Sequence, residues 1–344
     1  MPTVEMILGL PNLRKGAVLS RARDLDVPVL VSANCFSTWE TSAEGLRRWT
    51  GFNTKPLANA KGLRAVYLDS AGFVAASLYG GFEWTVDQYI NLAASYPFAR
   101  WFSMDCCVEP EIAANRDVVL DRIASTIRLN VLCRNRAIER GIHHNFAPVI
   151  QGWEARDYAA CVEGMPWLSD YSLIGVGSMC RRAVHGPNGV LHVLSVLDAI
   201  LPPNVRLHLF GLKSQAAEAV RQHPRVASVD SQAWGTAARW DALKAGISKT
   251  DAFCADTMTD WLARQQERLA KPAFTFQGSL ALEPPAPRLS PWDAAIAQAQ
   301  DELRHLVADG ELEYDQITDL YVFELAGEIM SSGTADADRL PLAA

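Results

Sequence analysis

The sequence predicts an α/β fold, a (β/α)8 TIM barrel with a C-terminal helical extension. Three observations predict it: eight short apolar or β-branched runs, stretches of helical periodicity between them, and a polar or glycine cluster at the end of most runs. The predicted strands are Val4–Leu10, Val27–Ala33, Arg64–Leu68, Trp101–Met104, Asn145–Ile150, Ser172–Val176, Val205–Phe210 and Val226–Val229. Strand and helix alternating through some 230 residues favours a parallel sheet with crossover helices, and eight units favour closure into a barrel over an open doubly wound sheet.

Helical periodicity falls at Arg14–Leu25, Thr85–Ser95, Arg116–Glu139, Val190–Leu201 and Ser214–Gln222. Thr85 followed three residues later by Gln88 has capping-box spacing, in which hydroxyl and amide satisfy each other's free backbone N–H groups. The barrel is expected to fill residues 1–271, with a proline-rich linker over 272–291 and a helical pair over 292–331. Ser290-Pro291-Trp292-Asp293 reads as a helix start, with Ser290 as cap and Pro291 at the first helical position. A second helix is expected over Tyr314–Met330, and residues 332–344 read as a flexible tail.

In a barrel of parallel strands the C-terminal ends share one rim, which supplies catalytic groups. The residues at those ends are Asp69-Ser70, Asp105-Cys106, Gln151-Gly152, Gly175-Val176-Gly177, Gly211 and Asp230-Ser231, so a candidate active site can be drawn from position alone.

Bulk properties narrow the class. With 32 basic and 39 acidic side chains, the 344-residue chain has a formal net charge of −7, which excludes a broad electrostatic grip on nucleic acid and leaves only local contact. Seven cysteines without a repeating framework fit a reducing compartment. Glu5 and the absence of a basic lead-in argue against a signal peptide, and the apolar runs are too interrupted to span a bilayer, so a cytoplasmic location without membrane attachment is expected.

The rim strings, read in order, are LDSAGF from Leu68, MDCCVEPE from Met104, PVIQG from Pro148, IGVG from Ile174, LHLFG from Leu207 and VDS from Val229. Together they resemble the tRNA-guanine transglycosylase superfamily and, through DCCVEPE, its deazapurine-in-DNA (DpdA-type) branch of DNA-guanine transglycosylases. The resemblance implies replacement of guanine in DNA by a 7-deazaguanine such as 7-cyano-7-deazaguanine, with the free base as co-substrate. It implies Asp230 as nucleophile and Asp69 as general acid/base, since base exchange with retention favours a covalent sugar–enzyme intermediate. Ser70, Phe73, Asp105, Gln151, Gly152, Gly175, Val176, Phe210 and Gly211 are implied as the base pocket, Phe73 and Phe210 sandwiching the purine for roughly 1–3 kcal/mol of stacking. Arg181, Arg182, Lys213 and Arg239 would then grip the backbone, and a homodimer is the assembly to expect.

The tRNA enzymes of the superfamily carry a zinc site made from a tight cysteine cluster and a later histidine. Cys254 is the only cysteine after Asp230, so no metal or other cofactor is expected. Cys106 and Cys107 read as small buried hydrophobes rather than nucleophiles. The same motifs leave open a tRNA-modifying enzyme and a non-catalytic nucleic-acid-binding barrel, and an unrelated glycosidase barrel is a further rival. Residue by residue, plainer readings also stand: Asp69 and Asp230 as turn residues, the two Phe as core, the cations as a solvated face.

Overall fold

The computed structural model describes residues 4–42, 45–180, 182–272, 290–308, 310, 312 and 317–337. Its first half runs β1 Glu5–Leu10, α1 Ala17–Asp24, β2 Val29–Ser32, β3 Ser37–Thr41, β4 Arg47–Phe52, β5 Val66–Asp69, α2 Gly72–Val74, α3 Val86–Ala94, β6 Arg100–Phe102, α4 Pro110–Ala113 and α5 Arg116–Glu139. The second half runs β7 Phe146–Ala147, β8 Val149–Ile150, α6 Ala155–Glu163, β9 Leu173–Val176, α7 Val190–Ile200, β10 Arg206–Leu209, α8 Ser214–Val220, β11 Val226–Ser231, α9 Trp234–Ala245, α10 Asp251–Ala270, α11 Pro291–Ala308 and α12 Asp319–Ala337.

The main sheet has the order β7-β6-β5-β2-β1-β11-β10-β9-β8, and every pairing in it is parallel. Its two end strands are halves of one segment separated only by Pro148, so the sheet closes on itself as an eight-membered (β/α) barrel. All eight predicted strands are present, and the fifth is cut in two. Proline has no N–H for the ladder. β7 therefore pairs back to β6 and β8 forward to β9. Asn130 of α5 bridges the break: its side chain accepts from Val149 N–H at 2.9 Å and donates to the Val149 carbonyl at 2.9 Å.

Alternation along the strands sorts the core into two layers. Ile7, Leu30, Phe102, Ala147 and Val149 point into the barrel with Tyr67 and Phe210, while residues such as Leu8, Val29, Val31, Leu68, Leu207 and Leu209 face the helices. The capping box expected at Thr85 is formed, with Gln88 N–H to Thr85 Oγ1 at 3.3 Å and Thr85 N–H to Gln88 Oε1 at 2.8 Å.

The antiparallel hairpin β3–β4 was not legible in advance, because its strands carry Thr, Glu and Arg and lack an apolar run. Aromatic contacts hold it: Trp49 and Phe52 pack on the buried Trp84 at 6.0 and 5.2 Å between ring centroids. The hairpin follows β2 and therefore stands on the rim side of the barrel.

The C-terminal helices pair through Ala295, Ala299, Leu303, Leu306, Leu325 and Ala326, with Ala183 of the β9–α7 segment packed against the cluster. They thus rest on the rim beside β9 and β10. Asp293 N–H reaches Ser290 Oγ at 3.1 Å, the expected cap. The second helix is described from Asp319, where the Thr318 hydroxyl accepts Tyr321 N–H at 3.2 Å and sets the first turn, and the expected start at Tyr314 lies outside the described residues. It continues to Ala337, beyond the expected end at Met330 and into the expected tail. Residues 273–289 of the expected linker and 338–344 of the tail lie outside the described residues. No helix among the described residues is long and apolar enough to cross a membrane.

α10 is tied to α1 by one carboxylate. Asp251 in its first turn accepts the N–H groups of Ala17 and of Val18, the latter at 3.3 Å, and so caps a neighbouring helix that has no side-chain cap of its own. Asp251→Ala is expected to destabilise the protein by about 1 kcal/mol, measured by urea unfolding; an unchanged midpoint would show that water replaces the carboxylate without loss.

Candidate active site

Three aspartates are delivered to the rim by strand ends. Asp69 closes β5, Asp105 follows β6, and Asp230 lies near the end of β11. Asp105 and Asp230 are buried, while Asp69 is partly exposed.

Asp105 is the most heavily bonded. Ser70 Oγ donates to Oδ1 at 2.9 Å and Gln151 Nε2 donates to Oδ2. The chain of bonds extends outward: Ser178 Oγ donates to Gln151 Oε1 at 2.7 Å and accepts Val108 N–H at 2.8 Å. Two glycines make room for it. A Cβ on Gly72 would lie 2.7 Å from the Asp105 carbonyl oxygen, and one on Gly177 would lie 2.0 Å from Gln151 Nε2. Burial raises the Asp105 pKa, and the bonds from Gln151 and Ser70 oppose that rise.

Asp69 Oδ2 accepts Ala71 N–H at 2.9 Å, with Ala71 itself in the left-handed region at φ 69°. Its carboxyl is pushed up to about 7, first by burial, then by the charge of Asp105, with Asp230 adding to the rise and the backbone N–H groups of Ala71 and Ser70 opposing it. This is the setting of a carboxyl that exchanges a proton near neutrality.

Asp230 Oδ1 accepts Gly211 N–H at 2.9 Å. His208 Nε2 lies 3.2 Å from the same oxygen but off the line of a hydrogen bond, and its Nδ1 is 2.9 Å from Ser228 Oγ. The imidazole is fully buried, stacked on Phe102 at 4.9 Å and edge-on to Phe210 at 4.6 Å.

The aromatic pair divides. Phe210 is half-buried at the barrel mouth, edge-on to Phe102 at 4.7 Å, and Gly175 lies beneath it, where a Cβ would come within 2.5 Å of Phe210 Cε2. Phe73 on α2 is 44% exposed, which makes it a face open to a ligand. Two expected backbone contacts are already engaged in the barrel: Gly175 N–H donates to the Pro148 carbonyl at 2.8 Å, and the Val176 carbonyl accepts Phe210 N–H at 3.1 Å. The Gly152 carbonyl accepts from Arg182.

Arg182 corrects the expected backbone grip. It is 2% exposed, and its guanidinium donates to the carbonyls of Ser178, Trp153, Asn188 and Gly152 and to Tyr158 Oη, between 2.5 and 3.2 Å. With every N–H directed inward it organises the β9–α7 loop and offers nothing to a phosphate. Lys213 is half-buried, 3.5 Å from Tyr321 Oη, in a pocket that Glu302, Glu324 and Glu328 also line; those carboxylates disfavour a phosphate there. Arg239 is exposed on α9, and Arg181 lies outside the described residues.

Burial followed by the charge of Asp105 pushes the thiols of Cys106 and Cys107 up to about 11 and about 12, which removes them as thiolate nucleophiles. Among the described residues no group of three or more His, Cys, Asp or Glu is arranged to hold a metal ion. Cys254 is buried on α10 against the barrel core.

A family model described as DpdA, DeoxyPurine in DNA protein A, matches residues 45–308, more than half of the sequence. The chain belongs to the DpdA family. No curated protein matches it. The DpdA match takes in all three aspartates, the Gln151 network and α11, and leaves out β1 and β2.

Sequence reasoning missed Ser178 and gave Gly72, Gly177 and His208 no role of their own, although all three lie in the rim strings. The His208 signal was available, since Leu207 and Leu209 face the helices and strand alternation sends His208 inward with Phe210. Ser178 could not be found, because its place depends on a left-handed turn at φ 55°.

The raised Asp69 pKa has a consequence for stability. The folded state holds this proton more tightly than the unfolded chain, so the favourable contribution is complete below about pH 4 and is lost as pH rises to about 7. Asp69→Asn is therefore expected to raise Tm at pH 8 and leave it unchanged below pH 4; calorimetry showing equal Tm at pH 8 would remove the argument.

Proposed function

We propose that this protein exchanges guanine in DNA for a 7-deazaguanine, such as 7-cyano-7-deazaguanine, through a covalent Asp230–sugar intermediate. The observation that carries the reading is the placement of three carboxylates on one barrel rim, one of them held near neutrality by burial and then by the other two. Membership in a family named for deoxypurines in DNA supplies the polymer.

In the proposed reaction an Asp230 oxygen attacks the anomeric carbon, the glycosidic bond breaks with its electron pair going to the purine, and Asp69 gives the departing base its proton. The incoming 7-deazaguanine then returns a ring N–H proton to Asp69 and attacks the anomeric carbon, displacing Asp230. Two inversions leave the sugar with its original configuration. Gly211 N–H already engages Oδ1 of Asp230, which leaves Oδ2 as the attacking oxygen. These steps use only carboxylates.

Guanine offers adjacent donors at N1 and the exocyclic amine, and an acceptor at O6. A buried carboxylate whose charge is opposed by desolvation gains from two more donors, so Asp105 suits the first edge. Gln151, which donates to Asp105, would turn its amide N–H toward O6. Phe210 and Phe73 supply the faces. Seven cysteines outside any disulfide among the described residues accord with a cytoplasmic setting.

The test is incubation with labelled 7-cyano-7-deazaguanine and either plasmid DNA or bulk tRNA, followed by nucleoside mass spectrometry. Label is expected in DNA only, absent with Asp230→Asn although that variant keeps the wild-type Tm, and lowered with Phe210→Ala through a weaker affinity for the base. Label confined to tRNA, or retained by Asp230→Asn, would overturn the reading.

A further inference from the structure

The expected phosphate grip loses Arg182 and Lys213 to internal contacts, so a protein that holds DNA needs cations elsewhere on the rim. A groove of about 520 Å³ lies between the β1–α1 loop and the start of α9, beside the strand that carries Asp230. Arg14, Lys15, Arg239 and Lys249 line it, and among the described residues Asp251 is its one acidic side chain. One oxygen of that carboxylate already accepts the N–H groups of Ala17 and Val18. In a chain of net charge −7, a groove whose described lining carries more cations than carboxylates is a local reversal of sign.

The β1–α1 loop is fixed before any ligand arrives. Arg14 N–H donates to Asn12 Oδ1 at 2.9 Å, Asn59 Nδ2 donates to the Leu13 carbonyl at 2.9 Å, and Asp251 holds the following turn. Arg14 and Lys15 are exposed at the crest of this pinned loop. Such a loop loses little freedom on binding, so its two charges act from defined positions. The groove also joins the active site: Gln232, two residues past Asp230, lines it, and β1 pairs with β11 through Ile7 opposite Asp230.

We propose that this groove binds the sugar-phosphate backbone of DNA and leads the strand to Asp230, with Arg14 and Lys15 as its principal phosphate contacts. The identity of the polymer rests on the exchange reading above; the site itself rests on charge and geometry. Replacing phosphate counterions makes binding fall with salt in proportion to the number of contacts, roughly 0.9 in the logarithmic slope for each contact to duplex DNA.

The experiment measures anisotropy of a fluorescein-labelled DNA duplex across a salt series for three proteins: the wild type, Arg14→Ala/Lys15→Ala, and Arg47→Ala/Arg48→Ala on the β3–β4 hairpin as an equal change of charge on the same rim. Tm verifies that all three fold. The groove variant is expected to bind more weakly and to flatten the slope by roughly 1.8, with the hairpin variant close to wild type. Equal loss in both variants, or loss only in the hairpin variant, overturns the groove, and so does a wild type that binds no DNA. A groove effect in a protein that exchanges no base would keep this proposal and sink the catalytic one.

Discussion

A buried carboxylate needs donors on both oxygens, and at Asp105 meeting that need organises half of the rim. Ser70 comes from the end of β5, Gln151 from the end of β8, and Ser178 from the turn after β9. Each is held by a backbone feature that tolerates little change: Gly72 lets the α2 turn press on Asp105, Gly177 leaves room for Gln151, and Ser178 sits in a left-handed turn. Four loops of the barrel thus share one network. The network holds Asp105 from several directions at once.

The same carboxylate sets the behaviour of its neighbour. Asp69 is raised by burial and by Asp105, so the charge that would recognise a purine edge also tunes the proton that would move on it. In the proposed reaction, binding and acid–base chemistry would therefore be coupled through the charge of Asp105. Donors that neutralise Asp105 would ease Asp69 toward its ordinary range, so an occupied pocket and an empty one differ in how readily Asp69 gives up its proton. This arrangement makes the folded chain hold like charges close together, a strain that the surrounding apolar barrel has to support.

Much of this was legible in the sequence because barrels convert order into position. Eight apolar runs gave eight strands, and their terminal residues gave the aspartates and Gln151 without any knowledge of side-chain direction. What escaped depended on packing. Whether a cation faces solvent or carbonyls is not written in its neighbours: Arg182 looks like a surface residue beside Arg181, yet it fills the space between Trp153 and Tyr158. The β3–β4 hairpin escaped for a related reason, since its aromatic residues find their partners in a loop thirty residues on. Helix ends were legible where a hydroxyl caps them, as at Thr85 and Ser290.

The break at Pro148 gives the ring a seam. β7 and β8 contribute two residues each to opposite neighbours, as short a pairing as that between β5 and β6, and here Val149 leans in addition on a side-chain amide. Gln151 is the first residue after β8, so the group proposed to read a purine edge stands on a segment held in part by the Asn130 side chain. In the proposed reaction, selectivity at O6 would thereby depend on Asn130 and α5 behind it, on the outer side of the barrel. A change in that helix would be felt as a change in which base the protein accepts, with no residue of the pocket altered.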